Sequence, residues 1–216
     1  MLYIVSTPIG NLEDITFRAV RILKEVDCIA AEDTRHVRKL LDKYEIKTKV
    51  ISYHSYSGST KVDKLVDMMK EGDSVALVSD AGTPGISDPA YSLIKKTIEE
   101  DIQISPIPGA SSLLAALVMS GKPMIQFLYL GFLPVKKGRQ TLFKSLVDEK
   151  RTMVIFESPH RLLKTLNDFL EYFGDKEIAI AREITKIYEE ALRMNISDAI
   201  KYFENKKPKG EFVLVI

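Results

Sequence analysis

Short apolar runs that end in clusters of glycine, proline, hydroxyl-bearing and charged residues recur along nearly the whole chain. Leu2–Val5 runs into Ser6-Thr7-Pro8-Ile9-Gly10-Asn11, and Cys28–Ala31 into Glu32-Asp33-Thr34-Arg35-His36. Val75–Val78 runs into Ser79-Asp80-Ala81-Gly82-Thr83-Pro84-Gly85. Residues 49–53 lead to His54-Ser55, and residues 102–107 to Pro108-Gly109-Ala110-Ser111-Ser112. Between the runs the apolar spacing changes to that of a helix; over residues 60–71 it places Val62, Leu65, Val66 and Met69 on one face. Strand alternating with helix implies parallel strands joined by helical crossovers. Parallel strands put every one of these clusters at the same edge of the sheet, where open α/β folds bind ligands.

The stretch from Leu77 to Ala90 is the richest of them. Gly82 and Gly85 permit backbone angles that other residues resist, and let a ligand approach the main chain. The loop is neither G-x-G-x-x-G nor a P-loop, because it lacks the third glycine of one and the Gly-Lys-Ser/Thr of the other. Asp88 is expected to cap the next helix, with Pro89 at its first position. Asp14 is expected to cap the helix carrying Ile15, Val20, Ile22 and Leu23, and a further helix is expected over 34–44. Pro106 marks its strand as an edge.

A second α/β set begins after the helix break at Ser120 to Pro123. Its strands are expected over 127–130, 152–156, 177–181 and 212–216. Its helices are expected over 139–147, 159–172 and 198–204, two of them starting at Ser158-Pro159 and Ser197-Asp198. The fold class is therefore α/β in two lobes, an N-terminal one over 1–118 and a C-terminal one over 122–216. In the second lobe Gly131-Phe132-Leu133-Pro134, Glu157-Ser158-Pro159-His160-Arg161 and Arg182-Glu183 follow strands in the same manner. Glu157 stands out as an acid at a strand end beside a His-Arg pair. Glu32, Asp33 and Arg35 could equally cap and charge a helix start.

The chain has 216 residues, 45% hydrophobic and 28% charged, the profile of a globular domain with a sizeable core. No apolar run approaches the ~20 residues of a membrane span. The N-terminus, MLYIVSTPIG, shows neither the basic region nor the cleavage pattern of a signal peptide, so the cytoplasm is the expected compartment. A lone cysteine, Cys28, excludes an internal disulfide and reads as a buried thiol. Three widely spaced histidines give no metal-ligand pattern. A net charge of +1 neither supports nor excludes RNA as a partner. No Ser-His-Asp order or nucleophile elbow points to acyl transfer.

The motifs in order are IVSTPIGNLEDIT (from Ile4), AEDTRH (from Ala31), LVSDAGTPGISDP (from Leu77), PGASS (from Pro108), GFLP (from Gly131), FESPHR (from Phe156), ARE (from Ala181) and KGEF (from Lys209). Together they resemble the ribosomal RNA small subunit methyltransferase I family, within the tetrapyrrole methylase-like (class III) methyltransferases. The resemblance implies S-adenosylmethionine in a cleft between the two α/β lobes, a homodimer, and methylation of a cytidine ribose 2′-hydroxyl in 16S rRNA of the small ribosomal subunit. It assigns the cofactor to Ile9, Asp80, Thr83, Ile86, Ser111, Ser112 and Phe132, with Ala181 and Gly210 closing the site. Glu157 is the first candidate for the general base and His36 the second. Arg35, Lys136, Lys137 and Arg161 are candidates for RNA phosphate contacts.

The sequence departs from the family pattern at Ala90, where glycine is usual, and at His54-Ser55-Tyr56-Ser57. It also ends at Ile216, where many relatives continue; if that segment holds RNA, compensation is expected elsewhere, as from the partner subunit. Two other functions share much of this pattern: a class III enzyme that methylates a tetrapyrrole carbon or a protein side chain, and a module that binds RNA or the ribosome without turnover.

Overall fold

The computed structural model describes residues 1–53, 59–88 and 90–216. The chain divides into two compact units, Met1–Ser111 and Ser112–Ile216.

The first unit alternates strand and helix throughout: β1 (Leu2–Val5), α1 (Phe17–Glu25), β2 (Cys28–Ala31), α2 (Thr34–Lys43), β3 (Lys49–Ser52), α3 (Ser59–Lys70), β4 (Val75–Val78), α4 (Tyr91–Glu99) and β5 (Ile104–Ile107). The sheet order is β3-β2-β4-β1-β5, and every pairing is parallel. β2 and β4 are buried at all their positions, as strands covered on both faces must be. Alternate side chains enter different cores. Ile4, Cys28, Ala30 and Leu77 pack with Leu65, Val66 and Met69 of α3 and Leu93 of α4. Val5, Ile29, Ala31 and Val78 pack with Ile22 and Leu23 of α1 and Val37 and Leu41 of α2. The expected inward residues of α3 are all buried, and Cys28 is a buried thiol. Pro106 lies in β5, which pairs on one side only, as an edge strand does.

Two helix starts differ from expectation. α1 is capped by Thr16, whose Oγ1 accepts from the Ala19 amide at 3.1 Å. Asp14 instead belongs to a 3-10 turn, Leu12–Asp14, capped by Asn11. α4 starts at Tyr91 without a side-chain cap, because the Asp88 carboxylate accepts from the Gly85 amide at 2.5 Å. Pro89 and His54, Ser55, Tyr56 and Ser57 lie outside the described residues.

The second unit opens with α5 (Ser112–Ser120) and continues with β6 (Phe127–Phe132), α6 (Arg139–Leu146), β7 (Thr152–Glu157), α7 (Leu162–Phe173), β8 (Glu177–Arg182), β9 (Glu190–Asn195), α8 (Ile196–Asn205) and β10 (Phe212–Val215). Its sheet order is β6-β7-β10-β8-β9. β6 and β7 are parallel, β10 runs antiparallel to β7 and β8, and β9 antiparallel to β8. Hence β6, β7 and β8 point one way, and β9 and β10 begin at the end where those three finish. α6, α7 and α8 share one core with the sheet through Phe143, Phe169, Phe173, Ile200 and Phe203. α5 packs on β8, β9 and β10, burying Ala116, Leu117 and Ser120. The division between units therefore falls before α5, earlier than the break expected between 118 and 122.

β9 was not expected, and α7 and α8 start elsewhere than predicted. Ser158 O accepts from the Arg161 and Leu162 amides, so a turn precedes α7. α8 starts at Ile196, and Ser197 bonds the Asp175 carboxylate through both its amide and its hydroxyl, each at 2.8 Å.

Candidate active site

In the first unit, the parallel sheet delivers Ser6, Glu32, Tyr53, Ser79 and Pro108 to one edge, directly after β1 to β5. The loop after β4 is tied to the loop after β1 by two backbone bonds, Thr7 N–H to Gly82 O at 2.9 Å and Gly82 N–H to Thr7 O at 3.0 Å. Thr7 Oγ1 donates to Ser79 O at 3.1 Å, and Ser6 Oγ lies 2.8 Å from Thr83 Oγ1. Gly82 and Gly85 have φ of +81° and +93°, so the glycines are required by backbone shape. A Cβ on Gly82 would stand 3.5 Å from Ile9 Cγ2, which places Ile9 against this loop. Ile9 is buried, and Ile86, in the same loop, is 43% exposed. Ser111 is the last residue of this unit.

Asp80 leaves the end of β4 half-buried, and its Oδ1 accepts from the Asp33 amide at 3.2 Å. Asp80 lines a polar hollow with Glu32, Asp33, Thr34, Arg35 and Ser52. Asp33 caps α2 by accepting from the Arg35 amide at 2.8 Å. The Arg35 side chain also bonds that carboxylate, and the two together hold its pKa down at about 2. Arg35 is thus paired, though exposed, and His36 lies exposed one residue on. Burial pushes the Asp88 carboxyl above its ordinary range, against the pull of the Gly85 amide.

In the second unit, Phe132 ends β6, the residue 54% exposed and its ring edge-on to Phe156, centroids 5.7 Å apart. Lys136 and Lys137 follow, both exposed. Ser112 opens α5, half-buried. Ala181 is buried in β8 opposite Val213 of β10. Gly210 lies just before β10 with φ +88°, and a Cβ there would stand 2.5 Å from Glu183 Cδ. The Glu183 carboxylate fills that space and accepts from the Glu211 amide and from Lys186 Nζ, both at 2.9 Å. Burial opposes its charge, yet these donors bring the Glu183 carboxyl below its usual range. Arg182 joins the same end, donating to Lys209 O at 2.7 Å and to Glu190 at 3.2 Å.

Glu157 is 2% exposed. Its Oε1 accepts from the Ser158 amide at 2.8 Å and faces Arg161 Nε at 3.3 Å; its Oε2 accepts from Thr165 Oγ1 at 2.5 Å. Both oxygens are engaged and shielded from water. Arg161 is turned inward, with Nη2 donating to Leu133 O. The sequence singled out Glu157 as an acid at a strand end and Arg161 as a cation for phosphate, but missed Arg139, Thr165 and Asp168, which complete their surroundings. The available signal was that Thr165 and Asp168 stand four and seven residues beyond Arg161, along one face of the helix that begins there.

Among the described residues no cluster of His, Cys, Asp and Glu is placed to hold a metal ion. No helix among them is long and apolar enough to cross a membrane.

Residues 1–200 match the family of tetrapyrrole (corrin/porphyrin) methylases. A ribosomal RNA small subunit methyltransferase I from Thermotoga maritima is 50% identical over 215 residues, spanning 100% of this chain and 97% of that protein. Its namesake from Halalkalibacterium halodurans is 49% identical, spanning 100% of this chain and 75% of its own length. Among solved structures, a diphthine synthase superposes with a TM-score of 0.77 at 14% identity, covering 100% of this chain and 88% of its own. A cobalt precorrin-4 methyltransferase gives 0.72 at 20%, covering 99% and 93%. Those two likenesses are of fold. The matches over the full length show that the chain belongs to the ribosomal RNA small subunit methyltransferase I family, a branch of the tetrapyrrole methylases.

Proposed function

We propose that this chain transfers the methyl group of S-adenosylmethionine to the 2′-hydroxyl of a cytidine ribose in 16S rRNA, acting as a cytoplasmic homodimer on the small ribosomal subunit. The observation that carries this reading is end-to-end identity of 50% with the Thermotoga relative, a ribosomal RNA small subunit methyltransferase I. The local chemistry agrees with it. Gly85, exposed in the loop after β4, leaves main chain open to a small ligand, and the Asp80 carboxylate can accept from a hydroxyl or amine. The exposed carbon surfaces of Ile86 and Phe132 suit an adenine or thioether.

In this proposal Ile9, Asp80, Thr83, Ile86 and Ser111 hold the cofactor in the first unit. Ser112, Phe132, Ala181 and Gly210 are assigned to it in the second. The cofactor supplies a methyl group already activated on a sulfonium, so the protein's part is to position the reactants and receive a proton. Glu157 does not suit proton transfer, since both of its oxygens are occupied out of contact with water. Of the two acceptors considered, His36 is the one open to solvent, and it takes the role here. Lys136, Lys137 and Arg35 are exposed cations suited to phosphate, and Arg35 must part from Asp33 to serve.

The test is transfer of a labelled methyl group from S-adenosylmethionine to purified, unmodified small subunits, with free rRNA and a tetrapyrrole run in parallel. Label at one ribose of the RNA is the expected result. Label in the tetrapyrrole alone would replace this reading with that of a tetrapyrrole enzyme. Cofactor binding without transfer to any of them would favour a module that binds without turnover.

A further inference from the structure

Two consecutive peptide carbonyls in the turn after β6 are each held by a different arginine. Arg161 Nη2 donates to Leu133 O at 2.5 Å, and Arg139 Nη1 donates to Pro134 O at 3.0 Å. The two guanidinium groups are joined behind the turn. Arg139 Nη2 donates to Thr165 Oγ1 at 2.8 Å, the same hydroxyl donates to Glu157 Oε2 at 2.5 Å, and Glu157 Oε1 faces Arg161 Nε at 3.3 Å. Asp168 Oδ2 balances the remaining charge, accepting from Arg139 Nε at 2.7 Å. The result is a closed ring that starts and ends on adjacent peptide units and passes through four side chains. Arg139, Thr165 and Glu157 are buried, at 5%, 0% and 2% exposure. The turn's own cross-bond, Arg139 N–H to Lys136 O, is long at 3.3 Å. A turn so weakly bonded to itself takes its shape from whatever holds its carbonyls.

We infer that this ring fixes the turn over residues 133–138, and so sets the path of the chain as it leaves Phe132 and the direction of Lys136 and Lys137. Arg139, Arg161, Thr165 and Glu157 are positioning residues: the arginines hold carbonyls rather than phosphates, and Glu157 orients Arg161 rather than removing a proton. What the turn serves rests on the proposed function; that the ring holds it does not. Burial makes the ring sensitive to a single deletion, because a lost hydroxyl strands a donor and an acceptor together.

Thr165→Val removes that hydroxyl at nearly constant shape, and Thr165→Ser restores it. The first readout is amide hydrogen exchange over 133–138 in the full chain, without added cofactor or RNA. Thr165→Val is expected to speed exchange in this turn by about tenfold relative to the rest of the unit, and Thr165→Ser to return it to the wild-type rate. The second readout is methyl transfer. KM for S-adenosylmethionine is expected to rise by about tenfold in Thr165→Val with kcat within about threefold, again restored by serine. Arg161→Gln, which breaks only the Leu133 link at a less buried site, should reproduce the exchange result if Thr165→Val does not fold. Unchanged exchange in the turn, or acceleration spread evenly over the unit, would overturn the inference. So would a Glu157→Gln enzyme that loses kcat at constant KM together with one limb of its pH profile. If the wild-type protein transfers no methyl group, the functional reading fails, while the exchange comparison still decides the ring.

Discussion

The two units bring their polar loops to one end of a sheet by different means. In the first, all strands run the same way, so every loop that follows a strand arrives there by topology alone. In the second, β9 and β10 run backwards, so the same end mixes strand exits with strand entries. The bonding follows this difference. The glycine loop of the first unit is tied to its neighbour by paired main-chain bonds between Thr7 and Gly82. The corresponding end of the second unit is held by charged side chains, among them Arg139, Arg161, Arg182 and Glu183. Main-chain ties are insensitive to side-chain identity; ties through buried charges are not.

The largest break should come from Arg139→Met. It leaves Asp168 without its partner and Pro134 O without a donor, and is expected to cost about 3 kcal/mol in urea unfolding. A paired glycine replacement sharpens the comparison. Gly210→Ala meets both a positive φ and the Glu183 side chain at 2.5 Å, and should also cost about 3 kcal/mol. Gly82→Ala meets a positive φ of +81° but only ordinary contacts, and should cost about 1–2 kcal/mol. Equal costs would remove the distinction. Helix caps cross this line: Thr16 and Asp33 cap α1 and α2 by side-chain bonds, while α4 of the first unit and α6, α7 and α8 of the second start without one. Thr16→Ala is therefore expected to cost about 1 kcal/mol, and Asn195→Ala a few tenths.

The smallest effect concerns pH, and its sign differs between the two loops. The Glu183 and Glu190 carboxyls are held below their ordinary range, so the stability they contribute is complete above the unfolded carboxyl pKa. It is lost as pH falls through their folded values. Asp88 is raised, so its charged form strains the glycine loop at neutral pH, and protonation relieves that strain as pH falls toward the raised value. Asp88→Asn should give a slight gain in thermal stability near pH 7 that disappears in mild acid. A loss at pH 7 would show that its negative charge stabilises the loop.

Legibility in the sequence followed the physics of each element. β2 and β4 were plain because strands buried on both faces are continuous apolar runs, and α3 because Val62, Leu65, Val66 and Met69 keep helical spacing. β9 was not, since Glu190–Asn195 is a half-exposed edge whose apolar and polar residues alternate over only its last four positions. Helix starts were misplaced at Asp14, Asp88 and Ser158 because each is occupied in a local turn, and Asp88 gives its carboxylate to Gly85. Such competition between a cap and a turn is invisible in a list of residue types. The glycine loop was legible as a loop because only backbone geometry demanded its glycines. Glu157 was legible as unusual but not as enclosed, since its enclosure depends on Thr165 meeting it from the second turn of α7.

The place of β1 in its sheet has a consequence for how the chain is made. β1 leaves the ribosome before the other strands of its sheet, yet its two neighbours are β4 and β5, whose residues Val75–Val78 and Ile104–Ile107 are the last of the sheet to be synthesised. The centre of the first unit must therefore stay open while most of that unit emerges, with Leu2–Val5 unpaired throughout. Closing that interval joins residues about a hundred positions apart, a pairing of high contact order that folds slowly. Nascent chains stalled before Ile107 should accordingly remain protease-sensitive around Leu2–Val5, and those stalled well beyond it should not.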